Sequence, residues 1–311
     1  MSGGAIRPAS DLRYVQIQTQ ARCNADCVFC PYSRSWHAAH PGRMSDALWR
    51  KILADLAPFA DGLSRGLIAP YLMQEPLLDP TITTKIGDIY AAFPRTMVQL
   101  ATNGAALNAA NIDGLIDALA GRKHQLWISH HGLDAAQVSQ VMRMDGERAE
   151  ANILRLLERA RGRLRVTIRG AGVSVDGGPP LFEPEVFRER WRGLLASRGV
   201  DTGRVHIDAL RYHSRAGTVG GPGQGELVRA IGPDAPFHCW RVDQWLHVAW
   251  DGALRLCCMD YHAEVPLPNL NDVSVAEWLA SPEYATIYGM VTGVEAPPRG
   301  FLCNRCTSPG G

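Results

Sequence analysis

The first two thirds of the chain alternate short runs of period two with longer runs of helical period. Residues 13–20 (RYVQIQTQ) set Val15 and Ile17 between Gln16 and Gln18, an apolar–polar alternation that predicts a strand. Ser45 stands as an N-cap before a helix over 46–59, where Leu48, Ile52 and Leu56 share one face beside Trp49 and Leu53. Further strands are predicted over 67–73, 97–102, 125–129, 164–169 and 205–210, with helices over 83–93, 109–120, 147–161 and 183–196. Six strands alternating with helices predict an α/β fold with a parallel sheet, closed or nearly closed, a partial (β/α)6 TIM-like barrel. In such barrels the loops after the strands form the active face, and the first of these follows residue 20.

The pattern changes at 216–236, where GTVGGPGQGE reads as a linker. Beyond it, 245–250 and 253–257 form a hairpin-like pair joined at Asp251-Gly252, and a short helix is expected over 275–279. Two domains follow from this: a barrel over 1–215 and a small C-terminal unit over 216–311. The second has few core elements, as expected of a module stapled by metal.

Composition narrows the function. The chain has 311 residues, 46% hydrophobic and 20% charged, with formal net charge +1. No electrostatic footprint for nucleic acid appears. There is no run of about 18 apolar residues, so no membrane partner is expected. The opening MSGGAIRPASD lacks the build of a signal peptide. A cytoplasmic location is the expectation, and there cysteines stay reduced and favour metal ligation over disulfides. All eight cysteines fall in two groups, at 23, 27 and 30 and at 239, 257, 258, 303 and 306. Two metal sites are implied.

Thiolates suit zinc or iron–sulfur. Structural zinc takes four ligands, commonly in paired C-x-x-C knuckles. The C-x3-C-x2-C spacing of Cys23, Cys27 and Cys30 offers three, which fits a 4Fe–4S cluster with one iron open to a non-protein ligand. Cys23-x3-Cys27-x-Phe29-Cys30 resembles the signature of the radical S-adenosylmethionine (AdoMet) superfamily. That resemblance implies that the amine and carboxylate of AdoMet take the fourth iron and that Phe29 packs near the adenine. Met73-Gln74-Glu75-Pro76 follows strand two, where the family has a Gly-Glu-Pro-like motif; Glu75 would accept from the cofactor's ammonium. Thr102-Asn103-Gly104 closes strand three as in relatives, making Asn103 a cofactor-site candidate. Ser129 and Arg169, ending strands four and five, are candidates for the ribose or carboxylate. His130 and His131 are adjacent on a strand, point to opposite faces and so do not share a metal; one of them is expected to face the pocket.

The second group, Cys239-x12-Gly252-x4-Cys257 and then Cys303-x2-Cys306, resembles the ligand set of the twitch module, a truncated SPASM domain. That implies a second 4Fe–4S cluster on Cys239, Cys257, Cys303 and Cys306, with a structural zinc on the same residues as the alternative. A closed cluster near a radical site can pass an electron. Cys258 is left over. It is either a small buried apolar residue or a catalytic thiol that hands a hydrogen atom to a carbon radical.

The resemblance implies an enzyme that generates a 5′-deoxyadenosyl radical and removes a hydrogen atom from a substrate C–H. Relatives with one auxiliary cluster include aminocyclitol dehydrogenases and aminoglycoside epimerases of antibiotic pathways. A small polar substrate, epimerised or dehydrogenated, is therefore favoured over maturation of a ribosomal peptide, since only about a dozen residues precede strand one. An external one-electron donor such as flavodoxin or ferredoxin is implied as partner. Candidate pocket residues at strand ends are Tyr32, Trp36, His37, His130, Arg211, Tyr212 and Arg215.

Overall fold

The computed structural model describes residues 12–174, 181–212, 215–219, 227–237 and 239–307. Its centre is one eight-stranded sheet in the order β6-β5-β4-β3-β2-β1-β7-β8. Strands β1 (Tyr14–Ile17), β2 (Leu67–Ala69), β3 (Met97–Thr102), β4 (His124–Ser129), β5 (Val166–Ser174) and β6 (Val205–Tyr212) run parallel. Helices fill the connections: α1 (Trp36–Ala39), α2 (Asp46–Asp55), α3 (Ala60–Ser64), α4 (Ile82–Ala92), α5 (Ala109–Leu119), α6 (Ala135–Met142), α7 (Gly146–Ala160) and α8 (Pro184–Ser197). This is the expected α/β partial barrel.

The C-terminal part carries α9 (Trp240–Gln244), β7 (Trp245–Val248), β8 (Leu254–Arg255), α10 (Val275–Leu279) and α11 (Pro282–Thr292). β7 pairs parallel to β1, with Gln16 opposite His247, and β8 returns antiparallel to β7. The C-terminal residues thus extend the barrel's own sheet at its first strand. The hairpin turns at Gly252, whose φ of 89° suits glycine.

The period-two alternation sorts the two faces of this sheet. Val15, Ile17, Val98, Leu100, Leu126, Ile128, Ile168 and Val248 point one way and belong to the buried core shared with the helices. Gln16, Gln99, Trp127, Arg169 and His247 occupy the other parity and line the barrel's interior. The polar half of each strand therefore faces a cavity.

Local chemistry explains the departures from the expected boundaries. Ser45 caps α2 by accepting from the Leu48 N–H at 3.1 Å, but Pro58 cannot supply a helical N–H, and the chain passes into a 3-10 turn at Ala57–Phe59. α1, α3, α6, α9 and α11 are additions to the expected set. α6 is capped by Asp134, which accepts from the Gln137 N–H at 2.7 Å; α11 is capped by Ser281, which accepts from the Tyr284 N–H at 3.0 Å.

Candidate active site

The cysteine loop leaves β1 and is pinned by α6. The Asp26 N–H donates to the Met142 carbonyl at 3.0 Å and the Val28 N–H to the Val141 carbonyl at 2.9 Å. Arg143 adds an ion pair to Asp26 at 2.7 Å. Between these anchors Phe29 is buried against Val138, Val141, Met142 and Ala171. Its ring meets that of His131 edge-on, with centroids 5.0 Å apart.

Glu75 is fixed from three sides. Its Oε1 accepts from the Leu77 N–H at 3.1 Å and the Thr102 hydroxyl at 2.7 Å, and its Oε2 accepts from the Asn103 N–H at 2.7 Å. Burial pushes its carboxyl up to about 7, against those hydrogen bonds. Asn103 opens a turn completed by Gly104 at φ 82°. Its side chain accepts from the Ala105 N–H at 3.0 Å and donates to Asn24 at 2.7 Å, so the end of β3 is tied to the cysteine loop.

These loops open on one cavity of about 540 Å3, lined by Cys23, Cys27, Cys30, Phe29, Glu75, Asn103, Ser129, Arg169 and Cys258. The two cysteine groups thus approach a common space, with Cys258 as the member of the second group that lines it. Arg169 is already engaged there: its guanidinium carbon lies 3.4 Å from the Trp127 ring centroid and its Nη2 3.6 Å from Asp208. Among the other pocket candidates Arg215 lines the cavity. Tyr32 packs beneath it with Leu72, Met73 and Tyr261. Trp36 stacks on His40, and His37 is buried at its edge. The side chains of Arg211 and Tyr212 lie outside the described residues.

His130 turns away, against Trp191 and 3.6 Å from Glu150, while His131 lines the cavity. The His131 Nδ1 accepts from the Ala171 N–H at 2.9 Å, which puts the proton of the neutral ring on Nε2. Burial, then His130 and Arg215, hold the ring neutral, its pKa pushed down to about 3. Sequence reasoning also passed over Tyr71, Trp127, Tyr261, Gln16, Gln99 and His247, all of which line the same space. Apart from Tyr71 and Tyr261 they stand on strands, and their signal is the polar parity of each strand.

A family model described as an iron–sulfur cluster-binding domain, SPASM, matches residues 239–307. Among solved structures, BtrN in complex with AdoMet and 2-DOIA superposes with a TM-score of 0.58 at 16% identity, covering 96% of this chain and 93% of BtrN. Streptococcus suis SuiB bound to its precursor peptide SuiA gives 0.58 at 12%, covering 96% and 72%. Native anSMEcpe with AdoMet and the Cp18Cys peptide gives 0.53 at 14%, covering 89% and 82%. The chain shares the fold of these AdoMet-bound structures, and its residues 239–307 match the SPASM iron–sulfur domain. A search of curated protein sequences finds no match to it.

Within this fold the donor chemistry fits iron–sulfur clusters. Burial pushes the Cys23 thiol up to about 12, with Glu75 adding to it. Burial raises Cys27, Cys257 and Cys303 as well. Neighbouring thiols reinforce each shift: Cys30 and Cys23 for Cys27; Cys258, Cys303 and Cys306 for Cys257; Cys239 and Cys306 for Cys303. Thiols crowded in this way ionise together only around a cationic centre. Among the described residues no three His, Cys, Asp or Glu side chains converge as ligands of one ion do. The thiolates of a four-iron cluster each bind a different iron and need no such convergence. No helix among the described residues is long and apolar enough to cross a membrane.

Proposed function

We propose that this chain is a radical AdoMet enzyme acting on a C–H bond of a small polar substrate such as a sugar or cyclitol, ending in epimerisation or two-electron dehydrogenation. In this reading Cys23, Cys27 and Cys30 hold the first 4Fe–4S cluster and Cys239, Cys257, Cys303 and Cys306 hold a second. AdoMet on the first cluster supplies, after one-electron reduction by an external donor, a 5′-deoxyadenosyl radical able to remove a substrate hydrogen atom.

The protein's own residues bind and orient. Glu75, held by Leu77, Thr102 and Asn103, is the acceptor for the cofactor's ammonium. Phe29 and His131 form the adenine side, where the His131 Nε2–H is an available donor. Asn103 braces the loops against one another, and Ser129 stands at the ribose side. Arg169, stacked on Trp127 and paired with Asp208, keeps its guanidinium in place with little entropy left to lose.

The observation that carries the reading is the single cavity of about 540 Å3 shared by the triad, Glu75 and Cys258. Pockets for one drug-sized ligand span about 300–1,000 Å3. This space has to hold the first cluster and AdoMet beside the reacting moiety of the substrate. Cys258 beside that moiety is the hydrogen-atom donor if the outcome is epimerisation.

Turnover in deuterated water, with Cys258→Ala beside the wild type, tests this. Solvent deuterium at the product carbon, lost in the variant while 5′-deoxyadenosine still forms, marks epimerisation. A ketone or aldehyde formed equally by both marks dehydrogenation. Absence of any turnover of sugars and cyclitols would remove the small-substrate reading.

Peptide maturation is the second reading, favoured by the likeness to SuiB with its precursor peptide at the same TM-score as BtrN. A product of changed mass from a short peptide would establish it.

A further inference from the structure

β7 contributes a side chain that neither cluster accounts for. His247 is only 1% exposed and lines the cavity, yet neither ring nitrogen has a hydrogen-bond partner. It lies opposite Gln16 of β1, which lines the same cavity. Its ring stacks on Trp245, with centroids 5.7 Å apart and planes at 10°. Burial, with the Arg241 charge nearby, holds the imidazole neutral, its pKa pushed down to about 3.

A buried polar group without a partner is destabilising, and the great majority of such groups in folded proteins are satisfied. A neutral imidazole has one donor and one acceptor to satisfy, and the Gln16 amide carries both kinds as well. A hydroxyl is their match, since it both donates and accepts. The surrounding walls are aromatic, with Trp127, Trp240 and Trp245 lining the same space; Arg169 covers one face of Trp127, and His247 and Tyr14 stack on Trp245. Among the described lining residues Glu75 is the sole carboxylate, and Arg169, Arg215 and Arg241 are present. Arg215 and Arg241 face the cysteine thiols, and with Glu75 given to the cofactor no lining carboxylate is left for an ammonium group of the ligand.

We propose that His247 and Gln16 form a hydrogen-bonding subsite for the ring hydroxyls of a cyclic polyol, with Trp245 holding the imidazole in place. This rests on the small-substrate reading above and sharpens it, from polar rings in general to rings carrying hydroxyls in preference to amines.

Calorimetric titration of the reconstituted, AdoMet-loaded protein tests it without turnover. The probes are myo-inositol and the diamine 2-deoxystreptamine. The wild type should bind myo-inositol, and more tightly than the diamine. His247→Phe keeps the stacking on Trp245 and should weaken myo-inositol binding about tenfold, the worth of one or two hydrogen bonds. His247→Gln, which restores a donor and an acceptor, should recover part of it. All three proteins should load the same amount of iron, which shows that the substitutions leave the fold intact. Equal affinity in the wild type and His247→Phe would overturn the subsite. Tighter binding of the diamine, or binding of neither probe, would overturn the polyol assignment. Failure of the wild type to cleave AdoMet is a separate result and counts against the enzyme reading itself.

Discussion

The Tyr261 hydroxyl, from the C-terminal part of the chain, stands 3.8 Å from Cys30 Sγ in the N-terminal cysteine loop. The ring is buried with Tyr32, Leu72 and Met73 against Cys23, Cys30 and Cys258. Once Cys30 is a thiolate, the phenol becomes a donor to it. Hydrogen bonds to cluster sulfurs withdraw charge and raise the reduction potential. Tyr261→Phe should therefore shift the first cluster to a more negative midpoint and slow its reduction, with iron content unchanged. An EPR-monitored redox titration checks this, the first cluster being the one whose signal changes on adding AdoMet. An unchanged midpoint would rule the phenol out as a tuning group.

Glu75 supplies a charge that a neutral amide cannot. Hydrogen bonds to charged groups are worth about 1.5–3 kcal/mol. Glu75→Gln should accordingly weaken AdoMet binding by about ten- to a hundredfold, measured by equilibrium dialysis on the reconstituted protein. The triad's iron should be retained, because Glu75 is no ligand. Wild-type affinity in the variant would move the ammonium contact elsewhere.

A buried ion pair supports the loop that carries Glu75. Lys85 Nζ lies 3.3 Å from Asp79 Oδ2, with side chains 3% and 0% exposed. Asp79 also accepts from the Thr81 N–H at 2.9 Å and the Thr81 hydroxyl at 2.7 Å. Burial opposes its charge, but Thr81 and Lys85 outweigh it and hold the carboxyl below its ordinary value. This contribution is present above the ordinary carboxylate range and is lost as pH falls through the lowered value. Lys85→Met leaves a buried charge unpaired and should cost about 3–5 kcal/mol in urea unfolding, with less effect in acid. A loss under 1 kcal/mol at neutral pH would mean that water reaches the pair.

Much of this was legible in the chain. Residues 97–102 and 275–279 read as β3 and α10 with the bounds they have, because alternation and an Asn-Gly turn bracket the first and a serine cap opens the second. The pairing of β7 with β1 was not legible, since nothing local specifies which strand of a distant module meets the barrel. That pairing also hides His247: period two says which residues share a face, but not whether that face meets water, core or a cavity. The pair His130-His131 reads as opposite-facing, yet which ring lines the site depends on how β4 ends at Ser129. α6 escaped notice as eight residues with only Val138, Val141 and Met142 on its buried face. It nevertheless positions Phe29.

In the proposed reaction an AdoMet molecule binds beside three thiolates near the start of the chain and is split there. The most direct measurement is 5′-deoxyadenosine formation by anaerobically reconstituted protein given AdoMet and dithionite, beside a Cys23→Ala/Cys27→Ala/Cys30→Ala variant. The wild type should carry about eight irons, two four-iron clusters, alter its EPR signal on adding AdoMet and form the nucleoside. The variant should keep about four irons, the remaining cluster, and form none. A wild type loaded with iron but inert toward AdoMet, or a variant that still cleaves it, would contradict the account.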